Sequence, residues 1–163
     1  MNSLSYSLGW LITTLALATP AIAASPLSYA PDIRGLWVDS RERDKQAVAV
    51  WIDECDGRLC GHIYWLKKPL SADGQPKRDR HNPNVLLRDR PRCGLRIMSG
   101  FRRLTENTWG EGEIYNPGSG QTYQGNLSLG SDGTLGVRGF VGISVFGKTI
   151  EWVRPSEMPE RCK

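Results

Sequence analysis

Short runs rich in apolar and β-branched residues, each bounded by polar or turn-forming residues, recur along the chain, and no segment carries a convincing 3.6-residue repeat. The pattern therefore predicts strands and very little helix. Eight runs qualify as strands: residues 35–38, 47–52, 58–66, 95–101, 108–115, 121–129, 134–143 and 148–154. Turn chemistry separates them, with Asp56-Gly57 after the second run, Asn116-Pro117-Gly118-Ser119-Gly120 after the fifth, Ser131-Asp132-Gly133 after the sixth and a bend near Gly147. One long polar loop lies between the third and fourth strands. Glycines fall inside strands at Gly61, Gly110, Gly112, Gly125, Gly136, Gly139 and Gly142. Strand-interior glycine weakens a flat sheet and permits the strong coiling of a closing one, so an antiparallel barrel is expected over a sandwich. An eight-stranded barrel is either filled by side chains or holds one small ligand, and the pattern leaves both open.

The first 23 of the 163 residues carry no charged side chain. An apolar run over residues 8–18, then Pro20 and Ala21-Ile22-Ala23, is the pattern of a secretory signal peptide, too short to span a bilayer. Cleavage after Ala23 would leave residues 24–163, a length that suits one domain. No cysteine follows the small residues, so no lipid anchor is indicated, and no other run is long enough to cross a membrane. The expected location is periplasmic or secreted. All four cysteines, Cys55, Cys60, Cys93 and Cys162, lie in the mature part. An even number in an exported chain favours disulfides, with three connectivities available. The hairpin signal Asp56-Gly57 between Cys55 and Cys60 selects that pair and leaves Cys93 with Cys162. Zinc is disfavoured because no Cys-x-x-Cys occurs and His62 and His81 show no ligand spacing.

Charge adds one feature. The chain is +4 overall, yet residues 67–103 hold eleven Lys and Arg against three Asp and Glu. Such a basic segment is either a solvated loop pinned by Cys93 or a surface for an anionic ligand, a lipid headgroup or a partner. Nucleic acid is disfavoured by export and by the lack of a binding motif.

Candidate chemistry is sparse. Strict alternation puts Trp109, Glu111, Glu113 and Tyr115 on one strand face, where two carboxylates could line a polar pocket or, if buried, serve as an acid/base pair. Ser99 and Ser144 lack a nucleophile elbow, no phosphate-binding glycine loop precedes a helix, and His62 reads as a structural strand histidine. The residues thus lean away from an enzyme and name no cofactor or metal. For ligand binding the candidates are aromatic residues able to face a barrel interior, Trp51, Tyr64, Trp65, Trp109, Tyr115 and Tyr123, with Glu111 and Arg138 as orienting polar groups.

Several strings are specific enough to carry a family resemblance: Gly35-Leu36-Trp37, Cys55-x-Gly57-x-Leu59-Cys60-Gly61-x-Ile63-x-Trp65-Leu66, Asn82-Pro83 with Leu87-Arg88-x-Arg90-Pro91, Trp109-x-x-Gly112-x-Ile114-Tyr115-Asn116-Pro117, Leu135-x-Val137-Arg138-Gly139-Phe140 and Thr149-x-x-Trp152-x-Arg154. In this order they resemble the exported bacterial family known as domain of unknown function 2147, from about Ile33 to Arg154. Glu111 departs from the pattern, standing where a second glycine is common, and so does Asn116, where Asp is common. The resemblance implies a lipocalin-like (calycin) barrel and no established activity. By the lipocalin analogy, Trp37 on the first strand and Arg154 on the last would stack to close the barrel. The expected function is a non-enzymatic binder or carrier of a small, partly apolar or amphipathic molecule. The alternative is an envelope interaction protein with a filled barrel that docks a partner or anionic lipid through the basic loop 67–92.

Overall fold

The computed structural model describes residues 31–40 and 47–162; the expected signal peptide, residues 1–23, lies outside them. Eight strands follow in order: β1 (Gly35–Asp39), β2 (Val48–Cys55), β3 (Arg58–Leu66), β4 (Arg96–Arg103), β5 (Thr108–Asn116), β6 (Gln121–Leu129), β7 (Leu135–Phe140) and β8 (Lys148–Val153). Each pairs antiparallel with the next, and β8 returns to β1 through Val38↔Val153 and Asp39↔Trp152, closing the barrel. Short 3₁₀ turns at Val85–Leu87 and Ser144–Phe146 are the helical elements among the described residues. The eight-stranded antiparallel barrel read from the strand runs and the glycines, lipocalin-like as the resemblance implies, is the observed architecture, with its one long loop between β3 and β4.

Strand β7 stops at Phe140, three residues before the apolar pattern does. Gly142 adopts φ 73°, and Val141, Ile143, Val145 and Phe146 stand out in solvent. Apolar character alone thus overextended this strand. At the second hairpin, Asp56 (φ 55°) and Gly57 (φ 74°) both have positive φ, the conformation of the primed two-residue turn that Asp-Gly favours. The turn lets Cys55 and Cys60 bond across it, and the second disulfide joins Cys93 to Cys162.

One half of the barrel is solid. Trp37, Val50, Ile52, Met98, Phe101, Trp109, Leu127 and Leu135 are buried together inside it. Paired irregularities in β4 and β5 make this packing work. Met98 and Phe101 both point inward although they lie three apart, and so do Trp109 and Gly112. The extra residue sits at Gly100 (φ 77°) in one strand and at Glu111 (φ 60°) in the other, and β5 shifts register against β6 between Trp109 and Gly112. Gly112 is then required: a Cβ there would lie 2.4 Å from Cγ of Phe101, whose ring occupies the space. This end is closed by Arg154, whose guanidinium lies 3.9 Å over the Trp37 ring and donates to the carbonyls of Leu36 and Arg34. The Trp37 indole N–H donates to Ile33 O at 2.7 Å.

A second apolar cluster, Leu36, Val38 and Ala49 with Trp51, Tyr64, Trp65 and Val153 around it, lies on the outer face of β1–β3. After β8 the chain leaves Val153 beside β1 and reaches Cys162, whose amide donates to Tyr64 O on β3 and whose sulfur is bonded to Cys93. This C-terminal strap passes the face on which Leu36, Val38 and Ala49 are buried.

Candidate functional site

The other half of the barrel is a cup. The loops β3–β4, β5–β6 and β7–β8 lie at this end, with Ala47 just ahead of β2. They surround a cavity of about 940 Å³ open to solvent, within the usual range for small-molecule sites of about 300–1,000 Å³. Its wall is aliphatic: Val48 from β2, Ile63 and Leu66 from β3, Ile97 from β4, Ile114 from β5, Val137 from β7 and Ile150 from β8. Tyr123 and Trp152 add aromatic surface. Alternation explains most of this lining. Val48, Val50 and Ile52 share the inner face of β2, the first at the mouth and the last two in the solid half. The wall of the interior is thus apolar, and the charged groups among its lining residues come from the loops and the strand ends at the mouth.

The rim is cationic. Lys67, Lys68, Lys77, Arg92 and Lys148 line the mouth, and no carboxylate does so among the described residues. Lys68, Lys77 and Lys148 form no ion pair among the described residues. Arg92 is held in place, donating from Nε to Arg78 O and from Nη2 to Pro117 O at 2.7 Å. The rim lysines therefore concentrate positive potential over an apolar cavity.

The β3–β4 loop is a folded rim rather than a loose arm. Its centre is Asp79, fully buried, which accepts from Tyr115 Oη at 2.6 Å, Asn82 Nδ2 at 2.8 Å and Arg90 Nη2 at 2.8 Å. Burial alone would raise the Asp79 pKa, but these donors outweigh it and hold the carboxyl below its ordinary range. The same partnership raises the Tyr115 pKa, through burial first and then through Asp79. Arg88 donates to Asn82 O, Arg78 to Asp89 O, and the bridge Arg78↔Pro91 closes the loop on itself. The loop seats against the β5–β6 turn, where a Cβ on Gly120 would lie 1.9 Å from His81 O.

The expected ligand-facing residues are divided by this geometry. Tyr123 lines the cup, and Tyr115 reaches its rim with its hydroxyl turned to Asp79. Trp109 faces the interior in the solid half, with Arg103 4.6 Å over its ring. Trp51, Tyr64 and Trp65 belong to the outer cluster, which corrects the expectation that they face the lumen. Trp51 and Tyr64 alternate with the inward Val50, Ile52 and Ile63, and Trp65 joins them outside because Tyr64 is an extra residue: Ile63 pairs with Val50 and Trp65 with Ala49. Glu111 and Glu113 are exposed, and the bulge takes Trp109 away from their face. Glu111 pairs with Arg102, whose hydrogen bonds lower its pKa, opposite to what an acid/base pair would need. Arg138 also points outward, donating to Ser144 O, Val145 O and Thr149 Oγ1 across the β7–β8 loop. His62 bonds Arg96 on the outer face, its pKa lowered first by burial and then by that guanidinium. The aliphatic wall and the lysine rim went unpredicted, although inward alternation from Val48 and Val50 carried the signal for the former.

A protein of Helicobacter pylori described as belonging to the lipocalin family is similar in structure, at a TM-score of 0.65 and 24% identity, covering 77% of this chain and 84% of that one. At that identity the likeness speaks for the fold. No curated relative matches the chain. The match to a family described as an uncharacterized protein conserved in bacteria runs over residues 35–154, from the glycine that opens β1 to the arginine that closes the barrel. With its eight-stranded barrel and half-open lumen, the chain belongs to this family, domain of unknown function 2147.

Proposed function

We propose that the protein binds a small anionic amphiphile, holding the apolar tail in the cup and the charged head among the rim lysines, and does so without turning it over. One observation carries this reading: a cavity of about 940 Å³ with an aliphatic wall and five cations at its mouth, and no carboxylate among the described lining residues. Apolar burial supplies the attraction, and the lysines supply selectivity for negative charge. Two disulfides fit an oxidising compartment, and a periplasmic or secreted setting belongs to the same proposal.

The alternative, a filled barrel whose basic loop 67–92 docks an envelope partner, draws less support. The mouth half of the barrel is not filled, and Arg78, Arg88, Arg90 and Arg92 are engaged within the loop itself.

Displacement of a fluorescent fatty acid by unlabelled amphiphiles tests the proposal. Alkyl sulfates are expected to compete better than alcohols of equal length, and alkylamines worst. Val137→Trp, which plugs the cup, is expected to lower affinity at least about tenfold. Lys68→Glu with Lys148→Glu is expected to lower alkyl sulfate affinity about tenfold, or about 1.4 kcal/mol, while sparing the alcohol. Equal competition by sulfates and amines, or full binding by the plugged variant, would overturn it.

A further inference from the structure

The tip of the β7–β8 loop has no role in the cup wall, yet it carries a run of exposed apolar side chains at the mouth end. Val141, Ile143, Val145 and Phe146 are 74%, 60%, 72% and 82% exposed. No charged residue occurs between Phe140 and Gly147, and no Asp or Glu between Gly133 and Ile150. The loop is not slack: Arg138 grips the carbonyls of Ser144 and Val145 from outside the barrel. Gly147 packs so closely that a Cβ there would lie 2.7 Å from Gly139 O. An apolar knuckle is thus held in water by a dedicated arginine. Its flanking residues Gly139 and Lys148 are themselves part of the mouth.

We infer that this knuckle enters the interfacial region of an anionic bilayer, setting the mouth of the cup against the membrane. Exposed apolar side chains beside a set of mouth lysines match such a surface on both counts: the side chains enter the headgroup region and the ammonium groups meet anionic lipid. Lys148 follows the knuckle directly, with Lys68 and Lys77 on the same mouth. A second copy of the chain suits the surface poorly, because mouth-to-mouth contact opposes two lysine rims on molecules that are each +4. The inference goes beyond the ligand reading, since docking needs the outside of the mouth and not its interior.

Flotation of the purified protein with vesicles of phosphatidylcholine containing about one third phosphatidylglycerol tests it. Wild type is expected to float with these vesicles, to stay behind with pure phosphatidylcholine, and to be released by high salt. Val145→Asp with Phe146→Asp is expected to reduce flotation about tenfold, with an unchanged melting temperature and unchanged displacement of fluorescent fatty acid in solution. A wild type that does not float, or a double variant that floats equally well, overturns the inference. So does a knuckle-dependent dimer on size exclusion without vesicle binding, which would make a second copy the occupant. Loss of fatty-acid binding with flotation intact would instead count against the cup alone.

Discussion

Asp79 shows how one residue organises a loop of the site. Its buried carboxylate accepts from a tyrosine, an asparagine and an arginine, so Asp79→Ala strands three donors. Because Arg90 retains partial solvent access, the expected loss is about 2–3 kcal/mol by urea unfolding, below that of a fully buried pair. The folded carboxyl titrates below the unfolded one, which lies at about pH 3.9, so its stabilisation is complete above about pH 5 and fades as pH falls toward the folded value. Asp79→Asn should accordingly show a flatter fall in stability between about pH 5 and 3 than wild type; equal slopes would remove Asp79 from the account. Gly112 makes the complementary point about space. With Phe101 filling the position of a Cβ, Gly112→Ala should cost about 2–3 kcal/mol. Phe101→Leu in the same chain should recover part of that loss, a coupling of at least about 0.5 kcal/mol that a double-mutant cycle can read. Neither residue was singled out from its letter. Asp79 is one of three acids in a basic stretch, and Gly112 one of several strand glycines; their roles depend on neighbours far along the chain.

At the level of elements, local chemistry was readable and parity was not. Asp56-Gly57 specifies its turn and brings Cys55 to Cys60, because two adjacent residues suffice to set it. The bulges at Tyr64 and Glu111 each move part of a strand to the opposite face. A one-residue slip inverts every side chain beyond it, which is why Trp65 faces outward beside Tyr64 although both were candidates for the interior. Bulges depend on pairing partners that no single strand reveals. The C-terminal strap is another element defined by distant contact. Replacing Cys93 and Cys162 with serine opens a loop whose ends are 69 residues apart. The expected loss is about 4 kcal/mol on the chain-entropy view. Dye binding to exposed apolar surface should rise as Leu36, Val38 and Ala49 are uncovered. If stability falls and dye binding does not, the strap is not their cover.

For the whole molecule, strand number and glycine placement gave the barrel, whereas the choice between a filled and a hollow lumen was posed too simply. One half is packed by the buried Trp37, Phe101 and Trp109, and the other is left open above Trp152. The cup is lined mainly by Val, Ile and Leu side chains from the strand ends nearest the loops, with Tyr123 and Trp152. Rigidity at one end and vacancy at the other are compatible because the closed half anchors every strand by pairing and packing. The basic loop, read as a separate docking arm or a solvated connection, proves to be part of the mouth. The most direct measurement is a crystal structure of the protein grown with dodecyl phosphate. The account predicts the alkyl chain inside the barrel against Ile114, Val137, Ile150 and Trp152, with the phosphate within hydrogen-bond reach of Lys68, Lys77 or Lys148. A lumen filled to its mouth by the protein's own side chains, or an amphiphile seated only on the outer Trp51–Tyr64–Trp65 face, would contradict it.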